Sequence, residues 1–462
     1  MTMKLVIAGG GISALSLLKT LSLASEMKTL ISEVVVYAPY GLGYAPNFFN
    51  QPQSSLCNTS VGVMSLVHHL PDQYYNWLTN NGFLYEVSDF TPRSLYGRFL
   101  REEAFHIIKT FKSLGISLVI INEALASFEC LDDKVQCFSQ GGIRQCDYLV
   151  IATGHQDRVS PTNNYLFYPE HQEQIMTASF EEQRVLVLGS RLSSVDAILL
   201  LKNKPMSQVD VASRSANFPA VRKKLLGTEP KVLNADQILN DARCSGVSVY
   251  MQFIQAMNEE VDCYFDGTIN ITYEDPLKQL NLDIENVIKD NVGWEDTLDN
   301  IMSNLNSLWC YFSEGERSLF HEQYSDFIKR YLYAFPLKNA QQLKDTLEKF
   351  NSSIFAADSN HIYVDNHGQF LLNSSTYDYI IDATGCHKMP IFQQEGTYTI
   401  NKPGCDDNIT QTKFNVQGQN KVYVTGSIRT YLPVVNYVKE ITHFNQELVL
   451  DLFKKIKNTC IV

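Results

Sequence analysis

The chain has 462 residues, of which 45% are apolar, 11% aromatic and 19% charged, with a formal net charge of −12. This is ordinary globular composition, which excludes a disordered chain, a collagen or a coiled coil, and the length suggests two or three domains. The negative charge argues against a sequence-independent grip on nucleic acid phosphates or anionic membrane surfaces, and no apolar run approaches the roughly 20 residues that span a bilayer.

Lys4-Leu5-Val6-Ile7-Ala8 is a short apolar run rich in β-branched residues. Gly9-Gly10-Gly11-Ile12-Ser13-Ala14 follows at once, and Leu15, Leu17, Leu18 and Leu21 then recur at helical spacing. Strand, glycine turn and helix in that order make GxGxxA, an allowed form of the dinucleotide fingerprint. Gly9 permits the tight turn, Gly11 lets a pyrophosphate approach the backbone, and small Ala14 lets the helix pack on the strand. The helix N-terminus offers its free N–H groups to the phosphates. The next strand, Glu33-Val34-Val35-Val36-Tyr37, ends at Ala38 and Pro39, where an acid for the ribose hydroxyls is usual.

Residues 41–66 read as a long loop, a kind that is usually functional. Helices are expected at about 72–80 and 95–113, then a small meander of strands near 116–121, 124–130 and 134–138. Tyr148-Leu149-Val150-Ile151 is an apolar strand running into Ala152-Thr153-Gly154, which brings backbone close to a neighbour or ligand.

A second such unit begins with Val185-Leu186-Val187-Leu188, turns at Gly189-Ser190-Arg191 and continues to the strand Val209-Asp210-Val211-Ala212 and Ser213-Arg214. Arg191 stands where the second glycine belongs; its Cβ would crowd a pyrophosphate, while its guanidinium could reach a phosphate. Arg214 sits where a 2′-phosphate reader would sit for NADPH, and Arg222, Lys223 and Lys224 add positive charge nearby. From about 235 to 350 apolar residues recur at helical spacing, a mostly helical insertion suited to substrate shaping, packing or a dimer face. Tyr379-Ile380-Ile381-Asp382 then runs into a second ATG, Ala383-Thr384-Gly385; Val422-Tyr423-Val424 runs into Thr425-Gly426-Ser427; and an amphipathic helix at about 436–455 closes the chain.

The pattern predicts an α/β protein with two Rossmann-like dinucleotide-binding domains and a mostly helical insertion. The expected boundaries are 1–160 for the first part of the first domain, 161–234 for the second Rossmann-like unit, 235–350 for the insertion and 351–462 for the return to the first domain. The order of motifs resembles the two-dinucleotide flavoproteins. It is more closely similar to a bacterial FAD/NAD(P)-binding family related to flavin-dependent N-hydroxylating monooxygenases. The residues carrying the resemblance are Gly43-Tyr44-Ala45, Leu56-Cys57-Asn58, Met64-Ser65, Pro92-Arg93-Ser94-Leu95-Tyr96-Gly97, Ala152-Thr153-Gly154 and Ser213-Arg214. They cover residues 1–224 well and 375–455 loosely.

The resemblance implies that Gly9, Gly11 and Ala14 hold an FAD pyrophosphate, with Gly10, Ile12 and Ser13 in the same turn. It places Asn58 and Met64 near the flavin. Ala152, Thr153, Gly154, Gly385 and Gly426 would pass close to the cofactor, while Gly189, Arg191, Ser213 and Arg214 would meet NADPH. Ala38, Arg191 and Ser427 depart from the family pattern, each at a nucleotide contact. The resemblance implies an NADPH-dependent monooxygenase acting on nitrogen of a small amine or amino acid. The alternatives are a flavin reductase, dehydrogenase or oxidase without oxygen transfer, or a non-catalytic binding module that keeps the fold.

No Ser-His-Asp order, HExxH or P-loop is present, and none of the ten cysteines forms a CxxC. Such chemistry needs neither a nucleophile nor a metal from the protein, and no general base stands out. His68-His69 adjoin on a loop and read as structural; His155 and His387 each lie within two residues of an ATG; Cys57 sits by the long loop with no redox partner in view. The N-terminus does not read as a signal peptide. The expectation is a cytoplasmic protein with a small-molecule substrate, no nucleic acid or membrane partner, and a homo-oligomer left open.

Overall fold

The computed structural model describes residues 2–49, 51–52, 54–154, 165–263, 275–290, 293–364, 369–385, 391–400, 411–429, 432–433 and 438–461. The chain divides into two units: one of residues 1–54, 61–156 and 387–462, the other of residues 55–60 and 157–386.

The first unit is built on a five-stranded parallel sheet. Its order is Val422–Val424, Tyr148–Ile151, Met3–Ala8, Ile31–Tyr37 and Ser117–Ile121. Apart from the partly exposed edge strand Ser117–Ile121, these strands are largely buried and are nearly continuous runs of β-branched and aliphatic residues, as a covered parallel sheet requires. The helix Ile12–Leu23 crosses from the first strand to the second and packs on the closing helix Val438–Ile461. On the other face, Val6, Ala8, Leu149, Ile151, Val422 and Val424 meet a core shared with an antiparallel sheet. That second sheet runs Ile391–Gln394, Thr397–Ile400, Leu125–Cys130, Val135–Ser139 and Gly142–Cys146. Phe128 and Tyr398 stack across it with ring centroids 4.8 Å apart.

The expected meander is therefore corrected at its first strand. Ser117–Ile121 pairs parallel with Ile31–Tyr37, and only the strands after it turn antiparallel. The helices expected at 72–80 and 95–113 are Gln73–Asn80 and Arg93–Leu114.

The second unit repeats the plan. Its sheet runs Ile354–Ala356, Gln208–Ser213, Arg184–Leu188, Tyr379–Asp382 and Leu166–Phe167, all parallel. One face packs against helices including Leu192–Leu201, Pro276–Ile288 and Leu337–Lys349. The other is covered by Phe370, Leu372 and Tyr377 of a small antiparallel sheet. The insertion is helical as expected, adding Ala235–Ser245, Val249–Asp262, Trp294–Leu308 and Glu314–Leu332 to Pro276–Ile288 and Leu337–Lys349.

One expectation is overturned by strand pairing. Tyr379–Asp382 hydrogen-bonds to Arg184–Leu188, so the second ATG, with Gly385, belongs to the second sheet and not to the first. The return to the first unit begins at residue 387, not 351.

Candidate dinucleotide sites

The first glycine turn lies at the carboxyl ends of three adjacent strands, where Ala8, Ile151 and Val424 are in register. In open parallel sheets this edge is where ligands bind. Gly9 donates its N–H to the Tyr37 carbonyl at 2.8 Å and has φ +117°. A Cβ there would lie 2.2 Å from the Ala152 carbonyl oxygen, so both backbone conformation and close packing demand glycine. Gly11 is glycine for another reason. Its backbone is extended (φ −82°, ψ −158°), which any residue adopts, and a Cβ there would meet only the Tyr44 carbonyl oxygen, at 3.5 Å. The space at Gly11 is open.

Leu15 N–H closes the first helical turn on the Gly11 carbonyl at 2.9 Å, which leaves the N–H groups of Ile12, Ser13 and Ala14 without intrahelical acceptors. No side chain caps them. Ala14 is fully buried, as its packing role requires. The other end of the sheet closes on the same turn. A Cβ on Gly426 would lie 2.1 Å from Ser13 Oγ, and one on Gly154 would meet only Ser427 Oγ, at 3.9 Å. Asn445 locks this junction: it accepts from Thr425 Oγ1 at 2.5 Å and donates to the Ser13 carbonyl at 3.0 Å, with all three residues buried. Gly9 to Ala14, Ala152 to Gly154, Gly426 and Ser427 thus converge. Thr153 adds a buried hydroxyl with no hydrogen-bond partner among the described residues.

Met64 is fully buried in the first unit, whereas Asn58 lies in the segment 55–60 that belongs to the second. Ser60 fixes that segment by accepting from the Leu225 N–H at 2.8 Å. The pair expected by the flavin is therefore split between the units. His155 and His387 lie outside the described residues.

The second turn copies the first. Gly189 donates to the Ala212 carbonyl at 2.8 Å, has φ +101°, and leaves 2.6 Å between a would-be Cβ and the Ala383 carbonyl oxygen. Arg191 takes the place of Gly11 with the same extended backbone (φ −102°, ψ −165°), so no strain opposes a side chain there. Its guanidinium donates to the Lys329 carbonyl at 2.9 Å, in the last turn of Glu314–Leu332. Burial lowers the Arg191 pKa, against the pull of Tyr333 and Asp326, and the nearby Arg214 lowers it further. Arg214 itself is exposed. Two cations close enough to repel make this turn favourable for an anion.

Gly385 follows the strand Tyr379–Asp382, the neighbour of the central Arg184–Leu188, and among the described residues nothing lies within 4 Å of a would-be Cβ. Ser213 has a different task from the one expected. Ser190 donates to the Asn217 carbonyl at 2.8 Å, so Ser213 must give its proton to Ser190, also at 2.8 Å, while accepting from the Ala216 N–H. It builds the turn and has no proton left for a phosphate. The basic trio is also corrected. Arg222 is 2% exposed and donates to the Leu332 carbonyl at 2.9 Å, and Lys223 pairs with Asp290 at 2.6 Å. Lys224 is exposed.

His68 stacks on His443 with centroids 4.5 Å apart. Burial first, and His443 and Lys439 next, push its pKa from 6.5 down to about 4, with Glu440 opposing. No group of three metal-ligating side chains occurs among the described residues. The folded chain therefore binds fewer protons than the unfolded one between about pH 4 and 6.5, and stability should fall as pH drops through that window and be level above it. Thermal unfolding at about pH 5 and about pH 7 should show this loss, and His68→Asn should flatten it.

Two features escaped the sequence. Arg429 is 2% exposed, donates through Nε to the Gly426 carbonyl at 3.1 Å and lies 3.8 Å over the Phe444 ring. Burial lowers its pKa to about 9, so it stays charged at neutral pH. The other is an aromatic ladder beside the first glycine turn: Tyr40, Tyr44 and Phe49 follow one another at 5.3 and 5.0 Å, and Arg101 covers Phe49 at 4.7 Å. Four aromatic residues between 40 and 49 were the available signal.

A family model described as FAD-NAD(P)-binding matches residues 6–156, the stretch that holds the first glycine turn and the first ATG. No curated protein matches in sequence. Among solved structures, ornithine hydroxylase from Pseudomonas aeruginosa superposes with a TM-score of 0.58 at 12% identity, covering 98% of this chain and 100% of that one. The FAD-bound cadaverine monooxygenase of desferrioxamine biosynthesis from Erwinia amylovora gives 0.54 at 14% identity, covering 98% and 94%. L-lysine 6-monooxygenase from Pseudomonas syringae gives 0.54 at 12%, covering 99% and 100%. The chain shares their fold. Among the described residues, no helix is long and apolar enough to cross a membrane.

Proposed function

We propose that the protein is an FAD-dependent oxidoreductase that uses NADPH to oxygenate the nitrogen of a small amine or amino acid. The observation that carries this reading is the doubled glycine turn: Gly9 against Ala152 and Gly189 against Ala383, each opening a helix at the carboxyl edge of its own parallel sheet. One dinucleotide per turn accounts for both. The fold shared with ornithine, cadaverine and lysine monooxygenases supports nitrogen as the atom oxidised.

The first turn fits FAD. Gly11 leaves room where a pyrophosphate must approach, and the N–H groups of Ile12, Ser13 and Ala14 face it with the positive end of the helix dipole. Gly154 and Gly426 bring backbone to the same edge without side chains in the way. The second turn fits NADPH less closely: Gly189 and Gly385 keep the approach open, and Arg191 and Arg214 supply charge for the phosphates. When bound, FAD supplies the oxygen-activating redox chemistry, with NADPH as the electron source. The chain's own work is to bind, orient and exclude water.

The test is the absorbance of FAD-reconstituted protein before and after anaerobic NADPH, followed by amine substrates under isotopically labelled oxygen. Yellow protein that bleaches and places label in a hydroxylated amine supports the proposal. Bleaching without labelled product points to a reductase or dehydrogenase, and protein that cannot be made yellow overturns the flavin reading.

A further inference from the structure

We propose that Tyr40, backed by Tyr44, is the platform on which the adenine of the dinucleotide stacks at the first glycine turn. The inference rests on the flavin-binding reading and adds how the adenosine end is held. A ribose is usually anchored by an acid at the end of the second strand. Here that residue is Ala38, and its place is sealed. It is fully buried, its N–H is spent on the Ile121 carbonyl at 2.8 Å, and its carbonyl accepts from Gly41 at 2.9 Å. A Cβ on Gly10 would lie 2.5 Å from the Ala38 Cβ, so the slot is filled from that side too. Position 38 offers a nucleotide nothing.

The chain that follows runs along the glycine turn. Gly43 donates to the Gly10 carbonyl at 2.8 Å, and the Tyr44 carbonyl oxygen is the nearest atom to a would-be Cβ on Gly11. The loop that carries Tyr40 and Tyr44 therefore runs beside the turn where the pyrophosphate would sit. Their rings are 5.3 Å apart; Tyr44 stacks on Phe49 at an interplanar angle of 19°, and Arg101 closes the far end. The inner ring is fixed by its neighbours, while Tyr40 is 75% exposed. A single exposed tyrosine ordinarily needs no explanation. This one ends a preordered ladder at the very place where the usual nucleotide anchor is missing. A base stacked there removes apolar surface from water and needs no hydrogen-bond code, since every base has a π-face.

The test compares FAD with FMN, which lacks the adenosine half, in titrations of apoprotein followed by flavin fluorescence. Tyr40→Ala is expected to weaken FAD roughly tenfold and leave FMN unchanged, while Tyr40→Phe restores FAD binding. Tyr44→Leu, checked for unchanged thermal unfolding, should weaken FAD in the same selective way. The proposal is overturned if Tyr40→Ala binds FAD as tightly as wild type, or if it loses FAD and FMN alike. Wild-type protein that binds neither flavin would instead sink the flavin reading itself.

Discussion

Gly11→Ala is expected to fold like the wild type and to lose its dinucleotide, whereas Gly9→Ala is expected to unfold the sheet it serves. The two glycines are two residues apart and do unrelated jobs. At Gly11 the backbone is extended and a methyl group has 3.5 Å to its nearest neighbour, so the fold tolerates it. The methyl instead stands where a pyrophosphate must come, and FAD affinity should fall roughly a hundredfold, about 2.7 kcal/mol. At Gly9 the methyl meets a backbone carbonyl at 2.2 Å with φ at +117°. Strain of that kind costs about 1–3 kcal/mol and overpacking about as much again, a large share of the 5–15 kcal/mol that holds a typical domain. Amide hydrogen exchange in Met3–Ala8 and Tyr148–Ile151 reads the difference. Protection should be intact in Gly11→Ala and lost in Gly9→Ala.

The second turn gives an expected split between its two arginines. Arg214 is exposed, and on the proposal that it reads the 2′-phosphate, Arg214→Ala should weaken NADPH by roughly 10- to 100-fold and leave NADH nearly untouched. Arg191 sits at the turn itself, where both nucleotides carry the same pyrophosphate. Arg191→Ala should weaken NADPH and NADH equally, and it should also cost about 1 kcal/mol through loss of its bond to the Lys329 carbonyl. Dissociation constants for the two nucleotides, measured at two salt concentrations, check both. If Arg191→Ala binds both nucleotides more tightly, the residue is an obstruction at that turn and its guanidinium has no part in holding phosphate.

The glycine turns were legible because their causes are local. A strand, a glycine and a helix in succession leave few other arrangements, and the tight contacts of Gly9 and Gly189 follow directly. What could not be read was partnership. Ala152-Thr153-Gly154 and Ala383-Thr384-Gly385 are the same tripeptide, and only the pairing of Tyr379–Asp382 with Arg184–Leu188 assigns the latter to the second sheet. Ser117–Ile121 has the β-branched character of the strands after it, yet it joins a different sheet. Charge hides its partners in a similar way. Arg222 and Lys223 read as added positive charge after the second turn, and only the fold shows that the first secures the end of a helix and the second a surface acid. Ala38 shows in the sequence as a missing acid; the ladder beginning two residues later does not show there, because aromatic spacing in a loop carries no periodicity.

The route of the chain through its two sheets also sets a timetable. Val422–Val424 completes the first sheet by pairing with Tyr148–Ile151, more than 250 residues earlier. The second sheet needs nothing beyond Asp382. During synthesis from the N-terminus, the unit begun first is therefore finished last, and Tyr148–Ile151 must wait with one edge unpaired while the later-encoded sheet is already complete. A nascent chain from which residues up to about 390 have emerged would present a second sheet with all its strands, attached to a first sheet that still has an open, adhesive edge.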